Sequence, residues 1–195
     1  MSQSDSEEVY FYELEEDLLH KYDSVMKLKI FVDSTDEELK NKYAQAIYSH
    51  HLKLQKNIDH IDAGFDLFAP TSMNMYDYKT NLIDYNIICS ATIIKQMQEC
   101  RKEINTGFYM YPRSSISKSR IRLANNVGII DAGYRGHLMG MFDCLESSLP
   151  IVKFDRHLQI CAPSLIPIVV TMVATKEELG EKTSRGEGGF GSTGK

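Results

Sequence analysis

Hydrophobic and polar positions alternate from Lys27 to Val32, and that alternation predicts a half-buried strand. The period then changes. Ser34-x-x-Glu37 reads as a capping box, and Leu39, Tyr43, Ile47, His50 and Leu54 follow at helical spacing, so a helix is predicted over 36–56. Ile93, Met97, Cys100 and Ile104 repeat that spacing and predict a second helical stretch over 92–104. From about Phe108 onward, short apolar runs at 108–111, 127–130, 137–142, 150–154, 157–161 and 166–174 are separated by Gly, Asn, Asp and Pro. Many short strands with turn signals predict a β-sandwich or barrel. There is no internal repeat and no βαβ alternation. Residues 1–22 read as a variable leader, partly helical or disordered.

Composition sharpens this picture in two places. A chain of 195 residues, 43% of them hydrophobic, can bury one sizeable core with extensions. The net charge of −5 is mostly local, because residues 1–23 hold eight of the 27 acids and one of the 22 bases. The remainder, 21 bases against 19 acids, is not basic enough to suggest stable nucleic-acid binding. No apolar run approaches the ~18 residues of a membrane span, and the acidic N-terminus does not read as a signal peptide. Cys89, Cys100, Cys144 and Cys161 show no C-x-x-C spacing, so neither zinc nor a redox pair is favoured. An intracellular protein, cytoplasmic or nuclear, is expected.

The last eleven residues, Arg185 to Lys195, carry five glycines around Phe190, Ser192 and Thr193. Such a stretch builds no core, but its backbone N–H groups and Arg185 suit an anion. Gly189 to Lys195 imitates a Walker A loop without the Ser or Thr, the preceding strand and the following helix that such a loop needs. The expectation is a mobile anion-binding arm or a disordered end.

Four internal stretches could carry chemistry. In Asp62-Ala63-Gly64-Phe65-Asp66-Leu67, Asp66 is a turn-capping residue or an acid near a metal. Tyr111-Pro112-Arg113-Ser114-Ser115 is a polar loop or a cluster of donors for phosphate oxygens. Asn125 to Gly136 places Ile129-Ile130 in a strand and Asp131-Ala132-Gly133 in a hairpin turn. Asp131 there is a turn former or a carboxylate able to take a proton from water, with the Tyr134 ring close by. Arg156-His157-Leu158-Gln159 precedes the last core strand, with His157 read as packed or exposed. The histidines show no metal-ligand spacing, and no G-x-S-x-G or Cys–His motif supports covalent catalysis.

The order of the motifs is more specific than any one of them. A-G-F-D-L, P-R-S-S, G-I-I-D-A-G-Y-R-G, R-x-x-Q and R-G-x-G-G-F-G-S-T-G succeed one another in a way that resembles the five motifs of the trimeric dUTPases. The resemblance covers about residues 25–32 and 60–195. It implies a jelly-roll-like all-β sandwich or barrel, spanning 23–175, with helical insertions near 36–56 and 92–104 and a flexible C-terminal arm at 176–195. It implies Mg²⁺-dependent hydrolysis of dUTP to dUMP and pyrophosphate, which keeps uracil out of DNA and supplies dUMP. On the resemblance, Asp131 is the general base, and Tyr134 packs under the deoxyribose and rejects a 2′-OH. Asn125 and the backbone of Gly128, Ile129 and Ile130 read uracil, with Met139 on the far side of the hairpin. Arg113, Ser114, Ser115 and Gln159 hold phosphates, and Asp66 binds Mg²⁺ through water. Phe190 stacks on uracil, Arg185 meets the γ-phosphate, and Gly191, Ser192 and Thr193 donate to phosphate oxygens. In the family the sites lie between subunits of a homotrimer, and one subunit's tail closes over a site elsewhere in it.

Three departures stand out: the helical insertion before the first motif, extra residues between the first and second, and P-R-S-S where many members have P-R-S-G. Two other readings remain. One is dCTP deaminase, alone or bifunctional, whose catalytic glutamate would fall at Met141, a thioether that cannot shuttle a proton. The other is an added regulatory role, with the leader and helices as partner surfaces.

Overall fold

The computed structural model describes residues 3–97, 100–181, 183, 185, 186 and 188, with backbone alone for 3–12. It opens with helix α1 (Gln3–Tyr22), strand β1 (Ser24–Val32) and helix α2 (Glu37–Lys56). Short strands β2 (Gly64–Asp66) and β3 (Met73–Met75) lead into the long β4 (Asn81–Gln96) and β5 (Arg101–Asn105). Then come β6 (Phe108–Pro112), β7 (Ile121–Leu123), β8 (Gly128–Ile130), β9 (His137–Cys144), β10 (Leu149–Ile151), β11 (Leu158–Cys161) and β12 (Ile168–Val173). One sheet runs β12-β1-β4-β9-β7, with β5 also on β4; another runs β2-β11-β6-β8; β10 and β3 form a separate pair. The result is an all-β sandwich with helical additions, and no helix among the described residues is long and apolar enough to cross a membrane.

Period-two patterning explains the core. Met26, Leu28, Ile30 and Val32 of β1 point one way and meet Ile83, Tyr85 and Ile87 of β4, Leu138 and Phe142 of β9, and Phe108, Met110, Leu158 and Ile160 from the second sheet. Leu39, Tyr43 and Ile47 of α2 join the same core. Val25 points the other way and packs with Ile94, Val169, Leu54 and the α1 residues Leu14, Leu18 and Leu19 in a second cluster. Residues Gln3–Tyr22 are therefore a helix, with a buried seam at Leu14, Leu18 and Leu19.

Three expectations need correction. The stretch over 92–104 is not helical: β4 and β5 form an antiparallel pair in which Ile93 faces Ile104. Spacings of three and four also arise when two strands fold back on each other, and the β-branched run Thr92-Ile93-Ile94 favours the extended state. The cap of α2 is Asp36, whose Oδ1 accepts from the N–H groups of Glu38 (3.0 Å) and Leu39 (3.4 Å), while Ser34 Oγ accepts from Asp36 N–H. Finally, β8 and β9 are not partners. Asp131 O accepts from Tyr134 N–H at 3.0 Å, so the turn is real, yet β8 pairs with β6 and β9 with β4 and β7. The buried faces choose the pairing, and the turn carries the chain from one sheet to the other.

Helix α2 also closes an edge. Backbone groups of Ile168 and Val170 point away from β1, because parallel pairing uses alternate residues. His50 Nε2 lies 2.8 Å from Ile168 O and must donate to it. Val170 N–H donates to His51 Nε2 at 3.2 Å, so that nitrogen must be unprotonated. Two histidine rings thus satisfy the positions that a further strand would occupy.

Candidate functional site

Strand pairing gathers the first set of candidates. Strand β11 lies between β2 and β6, so Gln159 is opposite Asp66 on one side and Tyr111 on the other. Arg113 follows β6 and donates its N–H to His157 O at 2.9 Å. Its Nε pairs with Asp66 Oδ1 at 2.6 Å, and Arg156 Nη1 donates to Asp66 Oδ2 at 3.0 Å. One carboxylate therefore orders two guanidinium groups, and one positive charge is left over. Gly64 leaves room for the Gln159 amide: a Cβ on it would lie 2.5 Å from Gln159 Oε1 and push that side chain aside. These residues line a cavity of about 870 Å³, closed on its other side by α2. Ser114 and Ser115 start a 3-10 turn, Ser114–Lys118, and stay exposed at its beginning. His157 is packed edge-on against Phe142, and burial lowers its pKa.

A second cavity, about 210 Å³, gathers Asn125, Gly128, Ile129, Ile130, Asp131, Tyr134, Met139 and Arg185. Its floor is β8, the edge of its sheet, so backbone donors and acceptors there are left open to a ligand. The Tyr134 ring is almost fully buried and its hydroxyl donates to His137 O at 2.9 Å, which fixes the ring's tilt. The Asp131 carboxylate is more than half exposed. At present it binds Arg185 Nε at 2.8 Å. The root of the tail is docked around this turn: Arg135 N–H donates to Gly186 O, and Thr183 Oγ1 donates to Gly133 O. Phe190, Gly191, Ser192 and Thr193 lie outside the described residues.

Within one chain Asp131 and Arg113 line different cavities. Two contributors escaped sequence reasoning. Arg156 shares Asp66 with Arg113, and its only signal was its place in R-x-x-Q. His137 lines the smaller cavity, with Nδ1 2.8 Å from Asp84 Oδ2 and Nε2 3.1 Å from Asp33 Oδ2. Burial lowers its pKa, but the two carboxylates together outweigh that and raise it. Nothing in the sequence links residues 33, 84 and 137; the β1–β4–β9 order does.

The fold and its two lobes define a class: an all-β sandwich with an open strand edge beside a carboxylate, and an arginine-lined cavity suited to anions. The dUTPase family model matches residues 51–194, and the chain belongs to that family. A deoxyuridine 5′-triphosphate nucleotidohydrolase of Debaryomyces hansenii is 38% identical over 136 residues, 69% of this chain and 76% of that one. One of Escherichia phage T5 is 35% identical over 95 residues, 47% of this chain and 62% of that one. A solved dUTPase of Staphylococcus bacteriophage 80alpha is 21% identical with a TM-score of 0.41, covering 68% of this chain and 86% of that one. The chain spans 55% to 62% of the length of the first four curated relatives it matches.

Proposed function

We propose that the protein hydrolyses dUTP to dUMP and pyrophosphate, with Asp131 activating water for in-line attack on the α-phosphorus. One observation carries this reading: a single 210 Å³ cavity holds the open β8 edge, the Tyr134 ring and the Asp131 carboxylate together. The β8 edge and Asn125 read the uracil by hydrogen bonds, and Tyr134 leaves no room for a 2′-OH. Asp131 accepts the water proton as the P–O bond forms and pyrophosphate leaves. Arg185 must first release Asp131, and the triphosphate is the anion that draws it away.

The residues fit Mg²⁺ held through water. Both Asp66 oxygens are engaged by arginines, which leaves their remaining lone pairs for metal-bound waters rather than for direct ligation. When bound, Mg²⁺ neutralises charge on the phosphate oxygens. Arg113, Ser114, Ser115 and Gln159 orient the same phosphates.

The separation of Asp131 from Arg113 supports a homotrimer of jelly-roll subunits, in which the two lobes face each other across subunits. Asp131→Asn is expected to bind a non-hydrolysable dUTP analogue normally and to lose about 10²–10⁴ in turnover. Near-normal turnover would overturn the base assignment. Co-assembling Asp131→Asn with an Arg113→Ala chain is expected to restore part of the activity; no recovery in mixed oligomers would argue that sites are not shared. The deaminase reading is less well supported: the side chain at its acid position is Met141 on β9.

A further inference from the structure

We propose that helix α2 adds an anion site of its own to this chain, in which Lys42 holds a diphosphate group in the 870 Å³ cavity beside Asp66. The ligand class is a pyrophosphate moiety, as the β,γ end of the nucleotide or as the released product. This rests on the dUTP reading above. Most of α2 precedes the segment matched by the family model, so the lining it supplies lies largely outside that match.

The helix presents one polar flank to the cavity. Lys42, Gln45, Ala46, Ser49 and Lys53 follow helical spacing beside the buried seam and line the cavity together. Four cations face it, Lys42, Lys53, Arg113 and Arg156, against three carboxylates, Asp62, Asp66 and Asp155. Lys53 pairs with Asp62, and Asp66 is shared by the two arginines. Asp155 accepts from Val152 N–H through Oδ2. Lys42 has no carboxylate partner among the described residues; its ammonium stands 5.3 Å from the Phe68 ring centroid and 5.6 Å from that of Phe154. Aromatic faces position a cation without neutralising it, so its charge stays available to an anion.

Phe154 supports this assignment independently. Its φ is +71°, a backbone region that favours glycine. The conformation is held by Phe154 N–H donating to Ala69 O at 2.8 Å, and it aims the ring between two lysines. Lys153, on the same ring, is occupied by Asp36 and Glu38. Among the described residues, Lys42 is not so occupied. A polyphosphate, with charge spread over several oxygens, suits a cavity lined by both Lys42 and the arginine pair better than a single carboxylate does.

The test uses the full chain with Mg²⁺ present. Pyrophosphate affinity, from calorimetry and from inhibition of dUTP hydrolysis, is expected to fall about tenfold in Lys42→Met, the scale of one charge-assisted hydrogen bond, and to recover largely in Lys42→Arg. An affinity within twofold of the unaltered protein would overturn the proposal. If Lys42→Met fails to fold, amine acylation of the unaltered protein decides. Pyrophosphate or a non-hydrolysable dUTP analogue should protect Lys42 and not Lys56, and the pattern of protection tells product from nucleotide. Protection by neither would overturn the site. An unaltered protein that binds pyrophosphate but leaves dUTP intact would sink the dUTP reading instead.

Discussion

At the scale of single residues, His51 shows how burial sets chemistry. Its ring is buried and its Nε2 must accept from Val170 N–H, so a proton there breaks the bond. Burial first, and His50 beside it second, lower its pKa to about 4. An unfolded chain takes that proton near 6.5. Between these values the unfolded state binds more protons, so this stabilisation is complete above about pH 6.5 and is lost as pH falls toward 4. The linkage is worth on the order of 3 kcal/mol. Melting temperature should therefore drop steeply over that window, and His51→Gln, whose amide oxygen can still accept, should flatten the drop; parallel curves would contradict the account. Residues of this kind were partly legible. His50 falls on the helical stripe of apolar positions, but the sequence does not reveal its strand-edge partner. Asp131 and Tyr134 were legible because a turn motif keeps them close in the chain. The role proposed for Lys42 was not, because it depends on Phe154, 112 positions away, adopting a positive φ.

At the scale of elements, periodicity gave α2, β1 and most strands after Phe108 to within a few residues. It failed where two signals coincide. The β4–β5 ladder places Ile93 opposite Ile104, and no local window contains that pairing. Strand β4 itself escaped notice because its middle, from Ile87 to Ala91, is buried on both faces and does not alternate. Helix α1 was obscured by its acids. Its buried seam of Leu14, Leu18 and Leu19 covers Val25, Ile94 and Val169, while Glu15 reaches Lys27 at 3.3 Å. The C-terminal half of α1 is thus part of the folded unit. Leu18→Ala is expected to cost about 2–5 kcal/mol in denaturant unfolding; a loss under about 0.5 kcal/mol would mean that α1 does not pack as described.

At the scale of the molecule, the turn at Asp131 is one of the links between two sheets. It takes the chain from β8 in one to β9 in the other, and the root of the tail docks on it. That placement sets a carboxylate, an aromatic ring and an open strand edge around one small cavity, while the arginine lobe forms under α2. Sequence motifs named nearly all of these residues but could not divide them between two cavities. The measurement that bears most directly on the central claim is product analysis. Full-length protein is incubated with Mg²⁺ and dUTP, dCTP or UTP, and products are separated by chromatography. The account predicts dUMP and pyrophosphate from dUTP alone. Formation of dUTP from dCTP, equal cleavage of UTP, or no cleavage of dUTP would contradict it.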